Sequence, residues 1–431
     1  MENTGLLVAF VFVGIVILLA TEMWVAVVMG VIGVAMLFFW GGEQAFEILG
    51  RVQFNTLNSF ILTAIPLFVL SGELVVHGGL AKRLYKGSES LIGWLPGGLF
   101  HTNIFSCAIF AAMSGSSIAT AATIGTMAIP EMQKRGYDRK WLAGSIVAGG
   151  TLGPLIPPST IMIVYGAYVG ESVGKLFIAG IIPGIILAIL FMCPLFLATL
   201  LNPAIAPKEK YVFSLRDFMG MWPVLCIVLS IMGSIYSGVA TPTEAAALGA
   251  IMALVFCLIF RTLTWQVLKN SMMAAVVVTS FVSFILVTSQ MMTAGFAFME
   301  VPQKVCQAFV SLGFGKLGTY AVISGVYIFL GMFIDAFAMI MLTLPVVFPI
   351  IKSMGFDPIW FGVVLVVYLE MACITPPVGI NLYVVQGIMK GGSRDVFVGA
   401  MPFVLSVLGL IVLLFLYPNL ALWLPSQMAK F

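Results

Sequence analysis

The sequence predicts an all-α integral membrane protein built from two inverted structural repeats, each with a re-entrant helical hairpin and a transmembrane helix interrupted by prolines. Three observations support this prediction. Of the 431 residues, 61% are hydrophobic and only 9% are charged, a composition far from that of a soluble domain. Apolar runs long enough to cross a bilayer recur along the chain. Short motifs of the first half also reappear in the second half at a constant distance.

The apolar runs are predicted to be helices, because they are apolar throughout and lack the period-two alternation of a membrane barrel. Their approximate bounds are 4–20, 23–40, 56–77, 175–201, 218–236, 242–260, 266–298 and 396–425. The first run lacks a basic start and an early cleavage site, so we interpret it as a retained helix rather than a signal peptide. The six cysteines mostly lie in apolar runs without metal-ligand spacing, which favours small core residues.

Residues around the first interrupted segment recur, without any gap, 219 positions later around the second. In the first segment they are Pro130, Gly136, Asp138, Trp141, Pro157, Pro158, Ile161, Gly180 and Pro183. Their counterparts are Pro349, Gly355, Asp357, Trp360, Pro376, Pro377, Ile380, Gly399 and Pro402. The paired prolines cannot continue a helix, because each removes a backbone hydrogen bond. A duplicated membrane segment with an interrupted helix in each half is typical of the binding site of a secondary transporter.

The repeat divides the chain into two halves joined by a polar connection. We assign the first repeat to 1–205, its hairpin to about 97–133, its broken helix to 141–170, the connection to 206–217, the second repeat to 218–431, its hairpin to about 316–352 and its broken helix to 358–389. A hairpin returns to its own side of the membrane, so an odd number of crossings separates the two copies. The repeats are therefore predicted to be inverted.

Charge provides an independent prediction of orientation, because lysine and arginine accumulate in short cytoplasmic loops. With inverted repeats, most of the 20 basic residues fall on one face of the membrane. We predict that this face is cytoplasmic and that both termini are periplasmic. The first hairpin then opens towards the cytoplasm and the second towards the periplasm.

Small polar residues at the first hairpin tip face the first proline break. The tip reads Met-Ser-Gly-Ser-Ser over 113–117, and the break reads Gly-Gly-Thr-Leu-Gly-Pro-Leu-Ile-Pro-Pro-Ser over 149–159. Small residues also allow close helix packing, but unpaired oxygens at this depth are costly and a sodium ion would satisfy them. The predicted first sodium site comprises the hydroxyls of Ser114 and Ser117 and the main-chain oxygens of Gly153, Ile156 and Pro157.

The same reasoning predicts a second sodium site, so two or more coupling Na+ ions are expected. Its members are the counterparts around the second hairpin and break, Gly331, Ala372, Thr375 and Val378. Because both sites are built from neutral oxygens, a hard monovalent cation suits them better than a transition metal.

Four further residues are candidate substrate contacts. Asp335 lies 219 residues after Ser116, at the second hairpin tip. Charged residues inside spanning segments are usually functional, and Asp335 could bind a cation, bind substrate, carry a proton or form a structural ion pair. Asn381 follows the second break, with Glu370 before it, and its amide suits a hydroxylated or anionic ligand. Ser159 begins the helix after the first break, where the positive end of the helix dipole attracts a carboxylate.

Three motifs together resemble a known family. They are Tyr-Ser-Gly-Val-Ala-Thr-Pro-Thr-Glu-Ala-Ala-Ala at 236–247, Gly-Pro-Leu-Ile-Pro-Pro-Ser at 153–159 and the Met-Ser-Gly-Ser hairpin tip. Over essentially its full length the chain resembles the large membrane (M) subunit of tripartite ATP-independent periplasmic (TRAP) transporters, the DctM-like family, including its sialic acid type. Thr241, Pro242 and Glu244 match the family motif, and we interpret them as the start of a scaffold helix.

The resemblance implies an elevator-type transporter fold in the bacterial inner membrane. A transport core, about 97–172 and 316–390, would slide against a scaffold formed by most of the remaining helices. It also implies sodium coupling, a small four-helix membrane subunit and a soluble periplasmic binding protein. That protein would deliver an organic acid such as sialic acid or a C4-dicarboxylate.

Two other functional classes remain open. An ion-translocating subunit of a respiratory or antiporter complex would relay protons through acidic residues inside the membrane. In this sequence most charged residues lie in the loops between the apolar runs. An intramembrane protease using Ser116 or Asp335 would need a nearby base or a second aspartate, and the 219-residue relation pairs Asp335 with a serine. We therefore expect no enzyme activity. A nucleic-acid partner is not expected, and no nucleotide-binding G-x-x-x-x-G-K-[ST] loop is present.

Overall fold

The computed structural model describes residues 13–15, 17–207 and 211–428, and over these residues the fold is helical without any strand. Helical residues at 13–15 and 17–20 precede the first complete helix. Most of the predicted apolar run 4–20, and with it the proposed retained helix, lies outside the described residues.

From residue 25 onwards, the described part of the first half contains nine α-helices. They are α1 (Val25–Gly41), α2 (Gln44–Leu57), α3 (Ala64–His77), α4 (Leu80–Ile92), α5 (Leu99–Ser114), α6 (Ser117–Lys134), α7 (Arg139–Gly150), α8 (Thr160–Val169) and α9 (Val173–Leu201). Short 3₁₀ turns at Phe60–Thr63 and Pro203–Ile205 lie before α3 and after α9.

The second half repeats this order after a short helix. Its helices are α10 (Leu215–Gly220), α11 (Trp222–Tyr236), α12 (Pro242–Ile259), α13 (Trp265–Phe298), α14 (Val301–Ser311), α15 (Lys316–Gly331), α16 (Ala336–Ser353), α17 (Pro358–Ile374), α18 (Ile380–Met389), α19 (Ser393–Leu416) and α20 (Asn419–Met428).

The 219-residue relation extends to the helices themselves. Both ends of α6 and α16 are separated by this distance, and the ends of α4 and α14 fall within two residues of it. Two departures are clear: α17 has 17 residues where α7 has 12, and α13 is a continuous helix of 34 residues. Its counterpart in the first half is divided into α2, a 3₁₀ turn and α3. The duplication therefore covers the outer helices as well as the interrupted segments.

The structure also interrupts three of the predicted apolar runs. The run at 218–236 is interrupted at Met221, between α10 and α11. The run at 56–77 contains a break at Asn58 and Ser59, between α2 and the 3₁₀ turn. The run at 396–425 is divided between α19 and α20, where Tyr417 has a φ of −129° and a ψ of 73°. Tyr417 precedes Pro418, and the proline ring disfavours a helical conformation for the residue before it.

Each hairpin turns tightly and restarts its second helix with a polar N-cap. Ser116 caps α6 by accepting a hydrogen bond from the Ala119 amide at 3.3 Å. Its counterpart Asp335 caps α16, with Oδ1 accepting from the amides of Phe337 at 3.0 Å and Ala338 at 3.2 Å. These caps satisfy helix N–H groups that hydrocarbon could not.

Both proline-containing segments are interrupted helices. Residues 151–159 separate α7 from α8, and residues 375–379 separate α17 from α18. The helix before each break starts with an aspartate cap, since Asp138 and Asp357 each accept from two backbone amides. Neither diproline is spanned by a continuous helix.

Helix α17 lies at the centre of the molecule, and every residue from Trp360 to Ile374 is buried. Aromatic side chains attach it to both halves. The Tyr165 hydroxyl in α8 donates to the Pro358 carbonyl at 2.7 Å, and the Trp360 indole donates to the Leu414 carbonyl at 2.9 Å. Tyr327 stacks on Tyr368 with ring centroids 5.4 Å apart. These contacts hold the interrupted helices of both repeats in one core.

The outer helices pack as a reciprocal pair. Helix α1 of the first half lies along α13 of the second, and α12 of the second half lies along α3 of the first. Helix α12 begins at Pro242 with a capping box between Thr241 and Glu244, which confirms that this motif starts a helix. Among the described residues, six helical spans are long and apolar enough to cross a membrane, namely Phe60–His77, Val173–Leu201, Pro242–Ile259, Trp265–Phe298, Ala336–Ser353 and Ser393–Leu416.

Glycines allow a very close crossing of α7 and α19. A Cβ atom added at Gly144 would overlap the Gly399 carbonyl oxygen, and one added at Gly399 would overlap the Lys140 carbonyl oxygen. Small residues at such crossings let two backbones approach, which provides most of the packing attraction between helices in a membrane.

We expect Gly399→Ala to lower the melting temperature of the purified protein, because the added methyl group costs about 1–3 kcal/mol of overpacking. Gly409→Ala is the matched control, since it lies on the same helix with no atom within 4 Å of the added methyl group. Melting measured by intrinsic fluorescence should separate the two variants. Equal melting temperatures would contradict the close crossing.

Candidate functional site

The first hairpin tip packs directly on the first proline break. A Cβ atom added at Gly153 would lie 2.7 Å from both the carbonyl carbon and the oxygen of Ser116. The Thr160 hydroxyl donates to the Gly115 carbonyl at 3.2 Å. Gly115 itself has a φ of 56°, in the left-handed region that favours glycine. The tip and the break therefore form one compact unit.

Oxygen atoms at this first contact are left partly unpaired. The Ser114 hydroxyl lies 2.8 Å from the Thr120 hydroxyl, which donates to the Ser116 carbonyl at 2.8 Å. In the described part of the chain, no hydrogen bond reaches the carbonyl oxygens of the predicted ligands Gly153, Ile156 and Pro157. These carbonyls keep both lone pairs for a ligand.

The predicted members of the first site make different contacts. Ser114 and Gly153 both lie against the Ser116 carbonyl. The Ile156 side chain packs against Gly184 of α9, a contact that does not involve its predicted ligand, the main-chain oxygen. The hydroxyl of Ser117 accepts a hydrogen bond from the Asn381 amide nitrogen.

The second hairpin tip packs on the second break in the same way. A Cβ atom added at Gly331 would lie 2.5 Å from the Ala372 Cβ. The Val378 amide donates to the Met332 carbonyl at 3.3 Å. The Thr375 hydroxyl donates to the Met371 carbonyl at 2.6 Å. The structure thus brings together all four residues of the predicted second site.

Main-chain oxygens of the second contact are also unpaired. The carbonyls of Gly331, Thr375 and Val378 accept no hydrogen bond from the described residues. The Ala372 carbonyl accepts only a long bond of 3.5 Å from the Thr375 amide. Such groups are costly in hydrocarbon unless a ligand or water satisfies them.

Two predicted substrate contacts serve as helix caps at the tips. Ser116 and Asp335 both use a side-chain oxygen in this way. Asp335 uses only Oδ1, and its Oδ2 makes no hydrogen bond with the described residues. A third contact, Ser159, caps α8 by accepting from the Met162 amide at 3.2 Å and is fully buried.

The fourth predicted contact, Asn381, joins the two repeats. Its amide nitrogen donates to the Ser117 hydroxyl at 2.8 Å and to the Val147 carbonyl at 3.4 Å. Asn381 is fully buried, and its Oδ1 has no partner among the described residues. The first hairpin, the first interrupted helix and the helix after the second break therefore meet at one polar point.

Sequence reasoning missed part of this polar point. Glu370 was placed only near the cavity, yet it is fully buried next to Ser117 with neither carboxylate oxygen hydrogen-bonded. Cys373 lies beside it and was interpreted as a core residue. The signal available in the sequence was a single acid within the otherwise apolar stretch Val-Val-Leu-Val-Val-Tyr-Leu-Glu-Met.

The described residues contain no group of three or more His, Cys, Asp or Glu side chains that could hold a metal ion. His77 pairs with Glu73 at 3.3 Å, and His101 contacts the Pro96 carbonyl at 2.9 Å. A transition-metal centre is therefore not supported over that part of the chain. The unpaired oxygens of the two contacts instead suit a hard monovalent cation.

Comparisons with known proteins agree with this architecture. A family model described as the tripartite ATP-independent periplasmic transporter, DctM component, matches residues 12–420. The C4-dicarboxylate TRAP transporter large permease protein DctM of Pseudomonas aeruginosa is 34% identical over 379 residues, covering 86% of this chain and 88% of that protein. The sialic acid TRAP transporter permease protein SiaT of Haemophilus influenzae is 33% identical over 381 residues, covering 86% of this chain and 61% of that protein.

A solved structure shows the same fold at low sequence identity. The Alcanivorax borkumensis YdaH transporter aligns with a TM-score of 0.65 over 88% of this chain and 89% of that chain, at 14% identity. The match over nearly the whole length identifies a multi-pass protein of the bacterial inner membrane. The chain belongs to the DctM component family, the large permease subunits of tripartite ATP-independent periplasmic transporters.

Proposed function

We propose that this chain is the translocating subunit of a sodium-coupled importer of an organic acid, that it works by an elevator mechanism, and that a periplasmic binding protein delivers its substrate. The observation that carries this proposal is the matched pair of proline breaks. Each break has unpaired main-chain oxygens and lies against the tip of the hairpin from its own repeat. Family membership favours this function over a protease or a respiratory subunit.

Sodium would bind where each hairpin tip meets its break. The proposed first site uses the hydroxyls of Ser114 and Ser117 with the carbonyls of Gly153, Ile156 and Pro157. The proposed second site uses main-chain and hydroxyl oxygens of Gly331, Ala372, Thr375 and Val378. In both sites, binding would order a loop and the adjoining tip together, since the ligands belong to both. Sodium binding would thereby fix the conformation of the residues that contact the substrate.

The organic acid would bind between the two ion sites. Ser116, Ser159, Asp335 and Asn381 are the proposed contacts. The relatives named above transport C4-dicarboxylates and sialic acid, so the substrate class proposed here is an organic acid of one of these types. Sodium ions would offset the repulsion between the Asp335 carboxylate and an anionic substrate, which makes substrate binding depend on cation binding.

The elevator mechanism requires inverted repeats and a separable scaffold. The odd number of crossings and the distribution of basic residues support inversion. The reciprocal packing of α1 on α13 and of α12 on α3 supplies a paired outer layer. The hairpins and interrupted helices would move against this layer, together with a small four-helix subunit as the membrane partner.

We expect uptake by the complete transporter in proteoliposomes to require an inward sodium gradient. Ser114→Ala should raise the sodium concentration for half-maximal uptake about tenfold, as loss of one hydrogen-bonding ligand worth about 1.5 kcal/mol implies. Ser234→Ala, in α11 and remote from both breaks, is the control. Uptake at full rate with potassium in place of sodium would refute the coupling.

Asp335→Asn should abolish most uptake while leaving the melting temperature unchanged, because asparagine caps a helix as well as aspartate does but carries no charge. Asp335→Ala should lower both. Asp357→Asn is the matched control, since Asp357 caps α17 through two amides at 2.8 and 3.0 Å without lying at a tip. Normal uptake by Asp335→Asn would reduce the role of Asp335 to capping.

Inversion predicts that equivalent hairpin mouths face opposite sides of the membrane. Gln133 and Lys352 are related by 219 residues, and both are exposed. In a variant without the six native cysteines, an impermeant thiol reagent should label Gln133→Cys from the cytoplasmic side and Lys352→Cys from the periplasmic side. Labelling of both positions from one side would exclude inverted repeats.

A further inference from the structure

A carboxyl group in the centre of the molecule has neither an ion pair nor a close hydrogen bond among the residues that the structure describes. Glu370 lies in the fully enclosed part of α17 with 0% of its surface exposed. Neither of its carboxylate oxygens makes a hydrogen bond within the described chain. The ion pairs of the described residues also do not include it. Among these residues, no basic side chain therefore forms an ion pair with this carboxyl group.

Other oxygen atoms surround the same point. The Ser117 hydroxyl stands beside the Glu370 carboxyl and accepts a hydrogen bond of 2.8 Å from the Asn381 amide nitrogen. This bond fixes the Asn381 side chain and leaves its Oδ1, also fully buried, without a partner in the described part of the chain. The Ser117 hydroxyl therefore lies beside both Glu370 and Asn381. Both of these side chains are fully buried and have oxygen atoms without a hydrogen bond from the described residues.

The energetic cost of this arrangement calls for a cation. Burying an isolated carboxylate costs several kcal/mol even after relaxation of the protein, at about the level of a large destabilising mutation. A buried amide oxygen without a partner adds about 1–3 kcal/mol. An anionic substrate would be repelled by an ionised Glu370, whereas a bound proton or a small cation would neutralise it. A cation would in addition give the Asn381 Oδ1 a partner, which a proton on Glu370 alone would not supply to a second ligand group.

We propose that Glu370, Asn381 and Ser117 form a third cation site that binds Na+. It differs from the two sites at the breaks because its ligands include a full negative charge. The site occurs once, since the counterpart of Glu370 is Thr151, whose hydroxyl already donates to the Ala148 carbonyl at 2.6 Å. This inference rests on the proposed function for its role in transport, and it deepens that function.

Occupancy of this site would connect the two repeats. Glu370 and Asn381 belong to the second repeat, whereas Ser117 and the Val147 carbonyl that Asn381 also contacts belong to the first. Because the Ser117 hydroxyl is also a proposed ligand of the first break and already accepts from Asn381, an ion at one site would change the affinity of the other. Each transport cycle would then carry one more positive charge inward than the two break sites supply.

The test measures sodium binding to the purified protein and sodium-coupled uptake by the complete transporter. In Glu370→Gln, we expect the number of Na+ ions bound per chain, counted with radioactive sodium, to fall by one. The rise in melting temperature on adding Na+ should shrink in parallel, because ligand binding stabilises the folded state by mass action. Charge moved per substrate molecule should also fall by one. Glu47→Gln removes an exposed acid of α2 outside all proposed sites, and this control should keep all wild-type values.

A second variant covers the case in which Glu370→Gln does not fold. Asn381→Ala removes only a neutral ligand and should weaken sodium binding at this site about tenfold. If Glu370→Gln binds the same number of Na+ ions with the same affinity as wild type, the carboxyl simply holds a proton and the third site is overturned. Sodium-independent uptake by the wild-type transporter would instead overturn the proposed coupling, whatever the binding measurements show.

Discussion

The structure depends on one constraint, that backbone polar groups inside a membrane need partners. The paired prolines of each half break the helical hydrogen-bond ladder at Pro157–Pro158 and Pro376–Pro377. A hairpin tip packs over each break, so that Gly153 lies against the Ser116 backbone and Gly331 lies against Ala372. Some groups are satisfied by this contact, and the carbonyls that remain are the ones with which a ligand can interact. Structural need and binding capacity therefore arise from the same broken segments.

The sequence was sufficient for the features that depend on local chemistry. Prolines and glycines located both breaks, and small polar residues located the first hairpin tip. The constant spacing then led to the second tip. The contact between Ser117 and Asn381 could not be predicted in this way, because it joins residues 264 positions apart. The sequence also could not show that Glu370 lacks a hydrogen bond from the described residues, because this depends on the side chains of every neighbouring helix. The break at Asn58 and Ser59 was also missed, because no proline marks it and the surrounding run is apolar.

The two halves differ in side-chain charge at their centre. A serine caps α6 at the first tip, and an aspartate caps α16 at the second. A threonine with a satisfied hydroxyl occupies the position that corresponds to Glu370. The backbone scaffold is thus duplicated, whereas the acidic side chains lie in one copy. Negative charge near the centre belongs to the second repeat, and the first contributes hydroxyls and main-chain oxygens.

The length of α13 has a consequence for the surrounding lipid. A helix of 34 residues extends about 50 Å at about 1.5 Å per residue, well beyond the roughly 30 Å thickness of the hydrocarbon layer. This rod must either tilt steeply or project into the headgroups at one end. Its counterpart is jointed at Asn58 and Ser59, so α2 can turn away from the axis of α3 and follow the bilayer surface. Helix α13 also packs along α2 and α3. The long rigid helix and its divided counterpart therefore lie side by side, and the lipid next to them must adapt to both shapes at the same place.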